Sequence, residues 1–141
     1  MHTTQDTAAR LLEVRADATA GSRIVHVEAQ LCDLPVETER TDALQTFVKQ
    51  ETILVRLRTA DGTEGIGYSY TIGTGGGAVL SLLRETLLPA LIGLEAERPE
   101  AVWLALFGIT RATTVGPITA LALAAVAVSY THLTLPTIYS V

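Results

Sequence analysis

Lysine, cysteine and long apolar segments are scarce in this chain, and each scarcity excludes a class of function. Lys49 is the one lysine beside nine scattered arginines, and the formal net charge is −5. Because no basic stripe forms, we exclude nucleic acid as a partner. Cys32 is the one cysteine, so an internal disulfide framework is excluded and a reducing compartment is indicated.

The N-terminus and the most apolar stretch lack the features of secreted and membrane proteins. Residues 1–6 contain neither the basic nor the apolar segment of a signal peptide. Residues 118–128 form the longest weakly polar run, which is shorter than the roughly 20 residues needed to span a bilayer. With 48% hydrophobic residues in 141, the chain is predicted to be one globular, cytoplasmic domain without a membrane partner.

Alternating polarity predicts three β-strands in the first half of the chain. The runs that alternate are residues 24–31, 52–59 and 65–70. Asp61 and Gly62 lie between the second and third runs, where an Asp-Gly pair is a strong hairpin signal. His26 falls on the polar face of the first strand, where a solvated or pairing role is favoured over a metal or catalytic one. A three-stranded antiparallel sheet is therefore predicted.

Two segments around the first strand are predicted to be irregular. Residues 36–50 are mostly polar, and a loop of this length in a compact domain is either a flap over a site or a disordered excursion. Residues 1–22 are predicted to be a flexible extension, because chain termini are ordinarily poorly ordered.

Three helices are predicted after the sheet. Apolar residues at helical spacing place the first over residues 78–91, and Pro89 is expected to kink it or end it early. The second begins at Pro99, and the third is an alanine-rich segment, residues 118–127. The residues of the second helix predicted to supply most of the aromatic core are Val102, Trp103, Leu106 and Phe107. Three strands followed by three helices predict an α+β fold with a small helical bundle on one face of the sheet.

A glycine-rich loop, residues 71–77, lies between the third strand and the first helix. Residues 73–78 fit the dinucleotide-binding pattern G-x-G-x-x-(G/A), with Glu95 or Glu97 about twenty residues further on. That pattern requires a parallel βαβ unit, whereas this strand belongs to a hairpin and the next element is another helix. No Gly-Lys-Ser/Thr follows, which excludes a P-loop. A flexible turn at the strand end and a substrate-facing loop both stay open.

Several short motifs occur in a characteristic order along the chain. They are Leu34-Pro35 after the first strand, then residues 53–57, 61–68, 88–93 and 116–126. In order and spacing they resemble the N-terminal capping domain of the mandelate racemase/muconate lactonizing enzyme family, in the enolase superfamily. The resemblance implies a capping domain over residues 23–127, which in the family precedes a (β/α)₈ barrel that this chain lacks.

The resemblance also implies the chemistry of an intact parent enzyme. The family removes a proton α to a carboxylate, and Mg²⁺ stabilises the enediolate. Racemisation, cycloisomerisation or loss of water from a hydroxy acid follows. The barrel carries the acid/base and metal-binding residues, so no catalytic residue, metal ligand or cofactor is expected in this fragment, which should be inactive alone. The implied partners are the missing barrel, a carboxylate or sugar-acid substrate and, in the parent, further copies of itself.

By the same resemblance, two segments fold over the barrel mouth and select the substrate, here residues 36–44 and about 70–76. The candidate substrate-contacting residues are Arg40, Thr41, Tyr70, Thr74 and Gly75. Arg40 could pair with a distal carboxylate of the substrate, and Tyr70 and Thr74 could offer hydroxyl groups. The alternatives are a solvated loop charge for Arg40 and a core residue at the sheet end for Tyr70.

Residues 128–141 depart from the family pattern. Threonines, β-branched residues and Pro136 replace alanine and leucine, and nothing there is expected to continue the third helix. Residues 128–137 look like the in-frame translation of a transposase-end adapter used in sequencing libraries. We interpret the chain as a truncated gene fused to read-through sequence, a non-native tail in which Tyr130 and His132 carry no functional weight.

A stand-alone binding or interaction module that uses the glycine loop is the alternative from another class. A cap without its barrel should leave residues 118–126 of the third helix with an exposed apolar stripe and a tendency to aggregate. A stand-alone module should instead be soluble and monomeric.

Overall fold

A computed structural model describes residues 21–113 and 116–138, with side chains of the last helix up to Leu133. The elements are, in chain order, β1 (Ile24–Thr41), β2 (Thr46–Thr59), β3 (Glu64–Thr71), α1 (Gly76–Leu82), a π-helical turn (Leu83–Leu87), α2 (Leu88–Leu91), α3 (Pro99–Ile109), a 3₁₀ turn (Arg111–Thr113) and α4 (Pro117–Ile138). Residues 1–20 of the predicted N-terminal extension lie outside the described residues.

The sheet is an antiparallel meander in the order β1-β2-β3, which confirms the predicted α+β class. β2 has the clearest alternation, because Ile53, Val55 and Leu57 are fully buried under the helices while the side chains between them are exposed. The predicted hairpin joins β2 to β3. Its turn is held by Asp61, whose Oδ1 accepts hydrogen bonds from the Thr59 hydroxyl and the Thr63 N–H. The helices therefore cover one face of the sheet and leave the other open.

The prediction of a loop over residues 36–50 is wrong, because β1 and β2 continue as a two-stranded ribbon beyond the sheet. The pairing extends to Thr41 and Thr46, with an irregularity in β1 between Pro35 and Arg40. Asp42 forms the turn, since its Oδ1 accepts the N–H groups of Leu44 at 2.7 Å and of the following residue at 2.9 Å. Neither face of the ribbon is covered by helices, so its sequence lacks the alternation that marks a half-buried strand.

The helical segment after the glycine loop contains a π-helical turn that ends two residues before Pro89. The Leu88 N–H donates to the carbonyl of Leu83, five residues earlier, and helical structure continues to Leu91. Proline lacks an N–H, so the wider turn lets the chain pass Pro89 without ending the helical run. The buried residues of this segment are Val79, Leu83, Leu87, Leu88 and Leu91.

The aromatic residues of α3 lie outside the core, contrary to prediction. Val102 and Leu106 are buried, but Trp103 and Phe107 are 44% and 41% exposed and stack on each other with ring centroids 6.3 Å apart. Only a narrow i, i+4 stripe of α3 meets the other helices, so neighbouring apolar positions turn to solvent. α3 therefore presents an apolar outer surface.

α4 continues past residue 127, so the expectation that the helix ends there is wrong. Ser129, Tyr130 and Leu133 are buried, and Ser129 and Leu133 lie against Gly65 of β3. The Tyr130 hydroxyl donates to the carbonyl of Glu95 at 2.7 Å, and His132 Nδ1 accepts the Ile66 N–H at 2.9 Å. Tyr130 is thus packed in the fold, and the exposed His132 is joined to β3 by a hydrogen bond.

Two glycines let α4 lie directly on β3. A Cβ at Gly67 would lie 2.2 Å from the carbonyl oxygen of Ala125, and a Cβ at Gly65 would lie 2.3 Å from that of Ser129. A side chain at either position would hold the helix away from the strand. Among the described residues, no helix combines the length and apolar character that crossing a membrane requires.

Candidate functional site

The base of the ribbon and the glycine loop meet at one end of the sheet. Asp33 of β1, Glu51 of β2 and Thr71 of β3 lie opposite one another in the antiparallel register. The glycine loop leaves this end of β3 and enters α1. Gly73 and Gly75 have φ of 84° and 93°, a left-handed conformation that glycine adopts without steric cost.

The Glu51 carboxylate joins the loop to the sheet. Its Oε2 accepts the Thr71 hydroxyl at 2.6 Å and the N–H of Gly76, the first residue of α1, at 2.8 Å. The hydrogen bond from Thr71, followed by that from Gly76, lowers the pKa of Glu51, because both stabilise the ionised form. The side chain is 13% exposed, so the carboxylate is largely enclosed.

Lys49 lies beside this carboxylate and crosses the ribbon. Its Nζ is 3.1 Å from Asp33 Oδ2 and 3.5 Å from Glu51 Oε1. Asp33 raises the pKa of Lys49, mainly through the hydrogen bond, so the ammonium stays charged. The chain's one lysine thus links two carboxylates on adjacent strands.

Sequence reasoning missed the Glu51 cluster, although a signal was present. Side chains two residues apart on a strand point to the same face, and Ile53 and Val55 of β2 face the core. Glu51 lies two residues before Ile53, so the alternation predicts a carboxylate on the buried face. A charge on such a face requires a partner, and here Thr71 and Gly76 supply it.

The predicted substrate-contacting residues form two groups. Arg40 lies opposite Phe47 near the ribbon tip, and the Thr41 hydroxyl is 3.4 Å from that of Thr46. The other group is at the glycine loop: Tyr70, Thr74 and Gly75. On β2, Phe47 is the partner of Arg40 and Thr52 is the partner of Tyr70. These two positions are five residues apart, which corresponds to about 17 Å along the strand. The structure therefore does not bring the two groups into one site within this chain.

The individual environments separate some of the alternatives. Tyr70 is 49% exposed on the open face of the sheet, so it is not a core residue. Arg40 and Thr74 are exposed, and Gly75 is the residue that caps α1. These positions are accessible to a molecule outside the domain.

The site has no arrangement of its own for metal or phosphate chemistry. Among the described residues, no three His, Cys, Asp or Glu side chains are grouped to hold a metal ion. The described residues of this site therefore do not fit Mg²⁺. The N–H of Gly76 is occupied by Glu51, so a phosphate would meet a carboxylate at the start of α1.

Comparison with known proteins identifies relatives over most of the chain. The model of the mandelate racemase / muconate lactonizing enzyme N-terminal domain matches residues 19–133. The 3,6-anhydro-alpha-L-galactonate cycloisomerase of Streptomyces coelicolor is 36% identical over 81 residues, which is 57% of this chain and 22% of that enzyme.

Two solved structures resemble the domain closely in fold. A racemase from Streptomyces coelicolor A3(2) with bound magnesium superposes with a TM-score of 0.76 at 30% identity, over 79% of this chain and 31% of that one. The L-talarate dehydratase from Polaromonas sp. JS666, complexed with Mg and L-glucarate, superposes with a TM-score of 0.76 at 25% identity. The match covers 82% of this chain and 32% of the dehydratase chain.

The chain spans less than a third of the length of each of these proteins. Its match to the family model covers more than half of its own residues. The chain therefore belongs to the mandelate racemase/muconate lactonizing enzyme family, whose N-terminal domain it represents.

Proposed function

We propose that this domain is the substrate-selecting cap of a larger Mg²⁺-dependent enzyme that removes a proton α to a carboxylate. One observation carries the proposal: the ribbon and the glycine loop, which the family resemblance assigns to substrate selection, leave the same end of the sheet. Such segments can together cover one opening. The family membership supports the reaction class, and the relatives named above include a cycloisomerase, a racemase and a dehydratase.

The remaining assignments follow from this role. Residues 23–127 would form the cap, docked on its own (β/α)₈ barrel in a homo-oligomeric enzyme, and residues 128–141 would be a non-native tail. A sugar acid is the proposed substrate, because the dehydratase neighbour is complexed with L-glucarate. Arg40 would pair with its distal carboxylate, and Thr41, Tyr70, Thr74 and Gly75 would contact its hydroxyl groups.

The first experiment is to amplify and sequence the source DNA across the codons of residues 126–129. We expect the reading frame to continue into a barrel with Lys-x-Lys and spaced carboxylates. The intact enzyme should then turn over sugar acids with Mg²⁺, and the 141-residue chain should not. Genomic codons for residues 128–141 followed by a stop would contradict the proposal.

The substrate-selecting role is tested in that intact enzyme. Arg40→Ala and Thr74→Ala should change the ratio of kcat/KM between sugar acids, because these residues would contact parts of the substrate remote from the reacting carbon. Glu97→Gln, an exposed change outside both segments, is the control. Equal kcat/KM ratios in all three variants and the unchanged enzyme would remove the assignment.

A stand-alone binding module is the second candidate, and one observation favours it. The apolar stripe of α4, including Ala122, Leu123 and Val126, is buried on β3 rather than exposed. The expected exposed stripe on this helix is therefore absent from the described residues. Direct binding of a small molecule by the 141-residue chain, without a barrel, would favour this candidate.

A further inference from the structure

We propose that Glu51 is a positioning residue, which holds the glycine loop and the first turn of α1 against the base of the ribbon so that the three segments form one unit. The cap role proposed above gives the consequence: the ribbon and the glycine loop would meet a substrate in a fixed mutual arrangement rather than as independent lids.

The contacts of Glu51 connect three elements of the fold. Thr71 is the last residue of β3, Gly76 is the first of α1, and Glu51 lies on β2 at the base of the ribbon. The loop between Thr71 and Gly76 is thus fixed at both ends by one carboxylate oxygen. With left-handed glycines inside it, this loop would otherwise have wide conformational freedom.

Close packing at Gly76 indicates that this approach is specific. A Cβ at Gly76 would lie 2.8 Å from Glu51 Oε2 and 3.0 Å from Leu31 Cδ1. The neighbouring Gly77 has no atom within 4 Å of its Cβ position. Glycine is therefore needed at residue 76 to admit the carboxylate.

The charged groups that face Glu51 have separate roles. Lys49, on the same strand, contacts Glu51 Oε1, while Oε2 carries the hydrogen bonds to the loop. Asp33, on β1, faces Lys49 and ties it to the other strand of the ribbon. Removing Lys49 should therefore loosen the ribbon base and leave the two hydrogen bonds to the loop in place.

Amide hydrogen exchange on the full 141-residue chain tests this assignment. In Glu51→Gln, the oxygen that accepts both hydrogen bonds loses its charge, and the new NH₂ would lie beside the Lys49 ammonium. Both bonds should weaken, so that exchange at Gly76 and at Val79, which donates to Gly75, should accelerate about tenfold or more. Lys49→Met should accelerate it far less, and the exposed control Glu97→Gln should not. Unchanged exchange in Glu51→Gln would overturn the proposal.

An acid titration of the unchanged chain gives a second readout that needs no variant. The ¹H and ¹⁵N shifts of the Gly76 amide should move as the Glu51 carboxylate is protonated, with a midpoint below the usual glutamate value of about 4.3. Thr71→Val should raise that midpoint, because it removes the hydroxyl donor. A Gly76 amide that does not respond to acid would overturn the proposal even if Glu51→Gln failed to fold.

These measurements involve neither substrate nor Mg²⁺. If neither the amide exchange nor the titration behaved as expected, the cap assignment would still stand, since that assignment depends on turnover by the intact enzyme. Absence of turnover would equally leave the positioning role of Glu51 intact.

Discussion

At the scale of single residues, two adjacent glycines at the start of α1 differ in whether their surroundings leave room for a side chain. Gly76 is enclosed by Glu51 and Leu31, whereas the Cβ position of Gly77 is open. Composition alone cannot distinguish them, since both belong to the same run of three glycines. The difference arises from the approach of β2, which is distant in sequence.

We expect Gly76→Ala to lower the free energy of unfolding by about 1–3 kcal/mol, because the new methyl overlaps the Glu51 carboxylate. Gly77→Ala should raise it by about 0.4–1 kcal/mol, since alanine restricts the unfolded chain and fits the helix. Urea unfolding of the two variants measures both changes. Equal stability of the variants would contradict the enclosed environment of Gly76.

The carboxylate of Asp61, in the turn between β2 and β3, should make the free energy of unfolding depend on pH. The Thr59 hydroxyl, followed by the Thr63 N–H, lowers the pKa of Asp61 in the folded chain. Its contribution is therefore present above the unfolded value of about 3.9 and is lost as pH falls through the lower folded value. Asp61→Asn should reduce stability at neutral pH, and its difference from the unchanged chain should shrink in acid. Urea midpoints from pH 2 to 7 test this, with Glu97→Gln as control.

At the scale of elements, α4 and β3 determine each other's position. Gly65 and Gly67 admit the helix, and Tyr130 and His132 anchor its later turns to Glu95 and Ile66. Burial, followed by the nearby Glu95 carboxylate, raises the pKa of the Tyr130 phenol, so the hydroxyl remains a donor across the usual pH range. The turns of α4 up to Leu133 therefore pack against the rest of the chain.

Removing the Tyr130 hydroxyl tests that anchor. Tyr130→Phe should lower the free energy of unfolding by about 1 kcal/mol, because the Glu95 carbonyl loses its hydrogen bond in a partly buried position. Tyr68→Phe, at a tyrosine that is 56% exposed, is the matched control and should change stability little. A Tyr130→Phe chain as stable as this control would indicate that the later turns of α4 do not pack on the domain.

At the scale of the whole molecule, the open face of the sheet exposes Leu54, Ile66, Tyr68 and Tyr70, and α3 adds a second exposed apolar surface. It consists of Trp103, Leu104, Phe107 and Ile109, between 41% and 68% exposed. Apolar surfaces of this kind promote association when nothing covers them. We therefore expect α3 to take part in the association of a cap without its barrel.

Sedimentation velocity at increasing concentration should reveal self-association of the 141-residue chain. Leu104→Glu with Phe107→Glu should suppress it, because two charges would be desolvated in any contact through α3. Ala101→Glu, at another exposed position of α3, is the control and should retain association. A monomeric unchanged chain would favour the stand-alone module.

Local patterns were sufficient to predict much of the fold. The alternation of β2, the Asp61-Gly62 turn and the helical spacing from Val79 depend on neighbours within a few residues, so the sequence itself determined them. The order of short motifs likewise determined the family. Only the tertiary structure decided which apolar residues of α3 are covered, how far β1 and β2 pair beyond the sheet, and where the charge of Glu51 is satisfied. Each of these depends on partners distant in the chain, because burial and cross-strand hydrogen bonds form only when the elements pack together.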